Sequence, residues 1–203
     1  MKKIIFILFF TTINLFAFGQ KLYIWCPENP NIKPRVGFLQ GQEVNIIIFD
    51  GRIIPEKSKV ECSSEKVSQS LFDLLSTSYP SAKLIFLPEE KYYQKPDTNI
   101  VTIKIAISAY HAGFGRDISV GIGSVGGNFS YGVFPKGEWN ALTSFYVQIF
   151  DNRNSKEKKD AKEISEIESK PNLVGYRTAK GCLNSSYVRA IQSLLFYIEN
   201  YLM

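Results

Sequence analysis

Apolar residues are distributed along this chain in one long block followed by several short ones. The block comes first. From Ile4 to Phe18 only Thr11, Thr12 and Asn14 interrupt a hydrophobic run that follows Met1-Lys2-Lys3. After Gln20 the pattern breaks into elements of domain size. Leu22 to Cys26 reads as a short strand, and Pro27, Pro30 and Pro34 turn residues 20–43 into a proline-rich arm, because proline fixes φ and lacks a donor. Val44 to Phe49 is β-branched and nearly all apolar, as a strand buried on both faces should be. Asp50-Gly51-Arg52 closes it with a turn.

Ser63 and Ser64 are candidate N-caps, and Glu65 favours a helix start. Val67, Leu71, Leu74, Leu75 and Ser78 share one helical face, which predicts a helix ending near Tyr79-Pro80. Lys83 to Leu87 is a strand stopped by Pro88. From Asn99 to Ala109, Val101, Ile103, Ile105, Ile107 and Ala109 alternate with Ile100, Thr102, Lys104, Ala106 and Ser108, so the first set faces a core. Residues 112–137 form a glycine-rich insert, read as a hairpin or long loop. Trp139 to Asp151 is a strand with Thr143, Phe145, Val147 and Ile149 on one side. A charged turn from Asn152 to Lys159 leads to a second hairpin arm over Asp160–Ser169, although Ile164 and Ile167, three apart, also allow a short helix. The last helix is placed from Asn184-Ser185 to Leu202, with Val188, Ile191, Leu194, Leu195 and Ile198 as its buried stripe. The expected fold is α/β, an α+β two-layer sandwich: one domain over residues 20–203, with a mixed sheet of five or six strands carrying two main helices on one face.

The opening block changes the picture of where this domain works. A cationic start, an apolar stretch shorter than the roughly 20 residues of a membrane span, and the small residues Ala17 and Gly19 read as a signal peptide over residues 1–19, cleaved before Gln20. The expected location is the periplasm or the exterior, with no integral membrane segment after cleavage. Of the formal charge of +5, two units belong to Lys2 and Lys3, so the balance is mild and does not argue for nucleic acid. Aromatic content of 14% suits a β-rich core.

Three cysteines, Cys26, Cys62 and Cys182, allow one disulfide in an oxidising compartment. Cys62 directly precedes the first helix and Cys26 ends the first strand beside an arm that needs fastening, so Cys26–Cys62 is the expected bridge, with Cys182 free. Three buried thiols are the alternative. Gly121 to Gly126 matches G-x-G-x-x-G, but strand-like residues follow it where a nucleotide fold needs a helix. His111 is the only histidine and sits beside a strand end, where a surface or capped residue is commonest. Any hydrolase would be built around it with a Ser or Cys partner. One histidine without clustered carboxylates supplies no zinc site, and no cofactor is indicated.

The order of elements is similar to that of small periplasmic envelope proteins of the ABC-transport-auxiliary and YajG-like lipoprotein type. The resemblance rests on the buried strand Val44–Phe49, the helix Ser64–Tyr79, the alternating strand Asn99–Ala109, a strand closing in Phe150-Asp151-Asn152-Arg153, and the last helix Ser185–Leu202. It implies an accessory or assembly factor of the envelope with no catalytic residues, acting with an envelope protein partner not yet identified. Gln20 stands where a lipoprotein carries its acylated cysteine, so an unacylated chain is expected. Three functions follow as expectations: a non-enzymatic periplasmic accessory or binding protein; an envelope assembly component using the 112–137 hairpin; and a secreted hydrolase using His111.

Overall fold

The structure, a computed structural model, describes residues 21–96, 99–115, 137–153 and 158–203. The leader 1–19, the G-x-G-x-x-G stretch at 121–126 and most of the glycine-rich insert lie outside the described residues. In chain order come β1 (Leu22–Ile24), β2 (Glu43–Asp50), β3 (Lys59–Val60), α1 (Ser64–Ser78), β4 (Lys83–Leu87) and a 3-10 turn (Glu89–Tyr93). Then follow β5 (Val101–Phe114), β6 (Glu138–Asp151), β7 (Lys158–Pro171) and α2 (Tyr176–Leu202). The fold is mixed α/β, as expected. One seven-stranded mixed sheet carries both helices on one face.

β5 is the middle of that sheet. One of its edges pairs antiparallel with β6 along the whole strand, and β6 pairs antiparallel with β7. Its other edge is shared by two strands. β2 runs parallel to it from Val44 opposite Val101 to Asp50 opposite Ile107, and β1 runs antiparallel with Tyr23 opposite Ala112. β4 adds parallel to β2, so β2, α1 and β4 form a β-α-β unit.

The expected alternation of β5 holds only as far as Ile107. The register with β6 slips between Ile107, opposite Phe145, and Ala109, opposite Ser144. The extra residue is a bulge, and it exchanges the two faces of the strand. Tyr110 and Ala112 join the helix-side core, while Ala109 turns to the other face and packs on Leu142. β5 also continues through Ala112, Gly113 and Phe114, so the first residues of the insert read over 112–137 belong to the strand.

α1 follows its sequence signals. The Ser63 hydroxyl accepts the Lys66 N–H, Glu65 occupies the first turn, and Val67, Leu71, Leu74 and Leu75 are buried. α2 begins at Tyr176, two turns before the expected Asn184-Ser185. Those residues mimic a cap, but the Ser185 hydroxyl donates back to the Gly181 carbonyl inside a running helix. The real start is set by Asn172, whose Oδ1 accepts the Gly175 N–H, and by Thr178, whose hydroxyl accepts the Val174 N–H. Gly175 takes φ +59° there, a value costly for any residue with a Cβ.

The buried stripe of α2 is Cys182, Leu183, Ser186, Tyr187, Ala190, Ile191, Leu194, Leu195, Ile198 and Leu202, with Val188 only half-buried at its margin. Arg189 and Glu199 do not simply point to solvent. Arg189 pairs with Glu166 and Glu168 of β7, and Glu199 pairs with Arg35 at 2.7 Å. Ile164 and Ile167 lie on a strand, not a helix, and therefore face opposite ways: Ile164 is buried and Ile167 is 40% exposed. The charges of β7 protect an edge strand on its open side and pin it to α2 on the other.

The proline-rich arm straps the two helices together. The Arg35 N–H donates to the Ser78 carbonyl at the end of α1 while its guanidinium holds Glu199 of α2. The Asn29 side chain bonds both Ser70 of α1 and Tyr187 of α2. Cys26 and Cys62 form the expected disulfide, Cα to Cα 4.8 Å, which fastens the arm's start to the loop before α1. Closing this loop is worth about 3–4 kcal/mol in the chain-entropy model. Cys182 is free and buried.

Leu195 is fully buried mid-stripe and Gln192 is exposed on the opposite side. Leu195→Ala is expected to cost about 2–5 kcal/mol through the cavity it leaves, and Gln192→Ala under about 0.5 kcal/mol. Urea melts of the two variants check this, and equal costs would contradict the packing of α2.

Candidate functional site

Two strands end in the same three-residue device, Asp50-Gly51-Arg52 after β2 and Asp151-Asn152-Arg153 after β6. In each, the Arg backbone N–H donates to Asp Oδ1 at 3.2 Å, Nε donates to the same oxygen at 2.7 or 2.8 Å, and Nη2 donates to Oδ2. This is a bidentate, charge-assisted pair folded back on itself. The remaining arm of Arg52 reaches the Tyr110 carbonyl, and that of Arg153 reaches Gln42. Asp50-Gly51-Arg52 is the turn that the sequence predicts, but a buried one: the side chains of Asp50 and Arg52 are only 6% and 3% exposed. Burial alone would raise the Asp50 carboxyl. The Arg52 hydrogen bonds and charge, with the Ser64 hydroxyl, outweigh it and hold the carboxyl below its ordinary value.

His111 lies next to this pair on β5. It is buried, and its Nε2 has no hydrogen-bond partner among the described residues. Burial, helped by the Arg52 charge, pulls its pKa down to about 4, so the imidazole is neutral at pH 7. Among the described residues no hydroxyl, thiol or carboxylate hydrogen-bonds to it, and the free Cys182 thiol contacts the Trp139 carbonyl on the helix side instead. Nor, among the described residues, does any group of three or more His, Cys, Asp and Glu converge as metal ligands.

The concave surface lies on the face of the sheet that the helices leave uncovered. A groove of about 430 Å³ is floored by Lys104 of β5 and by Tyr146, Gln148 and Phe150 of β6. The 3-10 turn and the segment after it, Tyr92 to Pro96, form one wall, and Lys159 of β7 forms the other. Tyr92 anchors that wall by packing with Ile47, Ala106 and Phe49. Lys104 is the unusual member, 3% exposed on a central strand. Its ammonium donates to the carbonyls of Tyr92 and Gln94 and lies 5.3 Å from the centre of the Phe150 ring. Burial, and then the Lys159 charge, lower its pKa from the ordinary value. The sequence reading placed Lys104 on the polar face of its strand but gave no sign that Glu89–Tyr93 folds back over it. A second groove, of about 400 Å³, runs between the start of α1 and the end of β4, with Glu65 and Glu89 among its lining residues.

Because Asp50 titrates lower when folded than when unfolded, its pair contributes fully above about pH 4 and loses that contribution as pH falls through the lower folded value. Asp50→Asn leaves Arg52 buried without its counter-charge and is expected to cost about 3–5 kcal/mol. Asp151→Asn, beside the more exposed Arg153, should cost about 1 kcal/mol. Urea melts at pH 7 give the ranking, and repeating them at pH 3 should show a smaller acid loss for Asp50→Asn than for the parent chain.

No protein-family model matches the chain, and no curated protein matches it either. Among solved structures, a hypothetical protein of Chlamydia trachomatis is similar at 12% identity and TM-score 0.43, over 79% of this chain and 97% of that one. A lipoprotein of Neisseria meningitidis is similar at 14% identity and TM-score 0.31, over 75% of this chain and 99% of that one.

Proposed function

We propose that this chain is an exported, non-enzymatic binding or accessory protein of the bacterial cell envelope. The observation that carries the reading is a contrast within one sheet. His111, around which a hydrolase would be built, is buried and its Nε2 has no hydrogen-bond partner among the described residues, whereas the helix-free face carries a walled groove with aromatic rings and lysines. The leader-like residues 1–19 and the Cys26–Cys62 bridge support export to an oxidising compartment. No helix among the described residues is long and apolar enough to cross a membrane. An envelope protein partner belongs to this reading as well, in line with the accessory role that the resemblance implied.

One observation favours the second reading, an assembly component. Phe114, Leu173, Val174 and Tyr176 leave large apolar area exposed at the end of the sheet from which the glycine-rich segment departs, with Leu173 at 82%.

Osmotic-shock release followed by intact-mass measurement tests export. The expected species lacks residues 1–19, carries no lipid and yields a linked Cys26–Cys62 peptide under non-reducing digestion. Retention of the leader, or a diacylglycerol mass, contradicts it. Turnover of a chromogenic ester that is abolished by His111→Asn would overturn the non-enzymatic part.

A further inference from the structure

We infer that the groove on the helix-free face binds an organic anion: a carboxylate or phosphate carried on a flat ring, with its charge beside Lys104 and Lys159 and its ring against the tyrosines. The inference deepens the binding-protein reading and rests on it. Three observations point this way. Among the described residues the lining of the groove includes three lysines, Lys95, Lys104 and Lys159, and no Asp or Glu. Among the described residues Lys104 has no carboxylate partner: its ammonium donates to two carbonyls, and the neighbouring charge that acts on it is another lysine. A buried ammonium is costly without a counter-charge, and an anionic ligand would supply one. Glu163, which lies opposite Tyr146 on β7, is engaged by the Ser144 hydroxyl.

The rest of the lining suits the body of such a ligand. Tyr93 is 71% exposed and stands at the wall, Tyr146 is half-buried on the floor, and the Phe150 ring lies between the ammonium groups of Lys104 and Lys159, 5.3 and 5.1 Å from its centre. Flat rings pack on such faces by stacking or edge contact. Tyr92 lines the same groove, and its buried hydroxyl has no hydrogen-bond partner among the described residues, which leaves it as a donor for an anion. The groove beside α1 differs in having Glu65 and Glu89 in its lining, which disfavours an anion there.

Titration calorimetry on the mature, disulfide-bonded chain tests this with 2-naphthoate and 2-naphthyl phosphate as anionic probes and 2-naphthamide as the uncharged counterpart. Binding of either anion is expected, with the amide about tenfold weaker, the scale of one charge-assisted hydrogen bond. Binding should weaken as salt rises. Lys159 is exposed, so Lys159→Glu should leave thermal melting unchanged and weaken anion binding by about tenfold while sparing the amide. Tyr93→Ala should weaken anion and amide alike, because it removes ring contact and no charge. Equal binding of amide and anions, or undiminished anion binding by Lys159→Glu, overturns the inference. So does an exported, disulfide-bonded chain that binds neither anion, and that outcome leaves the fractionation and turnover results intact, which keeps the two failures apart.

Discussion

A strand buried on both faces must find partners for every main-chain N–H and C=O along both edges, because water cannot supply them. β5 is such a strand, buried at every position except Phe114. β6 serves one edge along the whole strand, interrupted only at the bulged Ser108. The other edge is served by β2 and then β1, laid end to end, and neither reaches Ser108 to His111. The chain closes that break with the residues just after β2. The Gly51 N–H bonds the Ile107 carbonyl, and Arg52 bonds the Tyr110 carbonyl. A buried guanidinium needs a counter-charge, and Asp50, two residues earlier, provides it in fork geometry. The ion pair is thus a consequence of splitting one edge between a parallel and an antiparallel neighbour.

The same stretch decides which side chains see which layer. The bulge between Ile107 and Ala109 lets β5 serve a helix-side core at both ends although its sequence alternation does not continue in phase. Its consequence for chemistry is that His111 turns away from the helices, into a sealed place beside Arg52 where the neutral form is favoured. Lower on the same face, where the 3-10 turn folds back and the helices are absent, the lysine and aromatic groove opens. One face of the sheet supplies stability through a continuous apolar core, and the other holds the polar burial that stability alone does not require.

Fastening of the helical layer is spread over weak and strong links. Hydrogen bonds from Asn29 and Arg35 tie the arm to both helices, and the Cys26–Cys62 bridge reduces the freedom of that arm in the unfolded chain. β7 is held to α2 by the Arg189 pairs with Glu166 and Glu168, and by Tyr197 with Asp160. These links are more exposed and more sensitive to salt than the core beneath them.

Elements whose residues carry their own instructions were legible in the sequence: the β-branched run of β2, the capped and periodic α1, the Leu195 face of α2, the Pro88 stop after β4 and the Cys26–Cys62 pairing. In each, local conformational preference and burial agree, so a window of a dozen residues suffices. What only the tertiary structure decided depends on partners distant in the chain. The bulge at Ser108 exists because β6 fixes the register. The early start of α2 is set by Asn172 and Thr178, side chains that resemble ordinary loop residues until their acceptor positions are known. Asp50 and Arg52 read only as a turn, with no sign of their burial, because nothing nearby in sequence reveals that β1 and β2 leave a gap on β5. The Lys104 groove is hidden for the same reason: its wall is a segment with no periodicity of its own, placed over the lysine by pairing of strands far apart along the chain. Local preference specifies elements, whereas the environment of a buried charge is set by which elements meet around it.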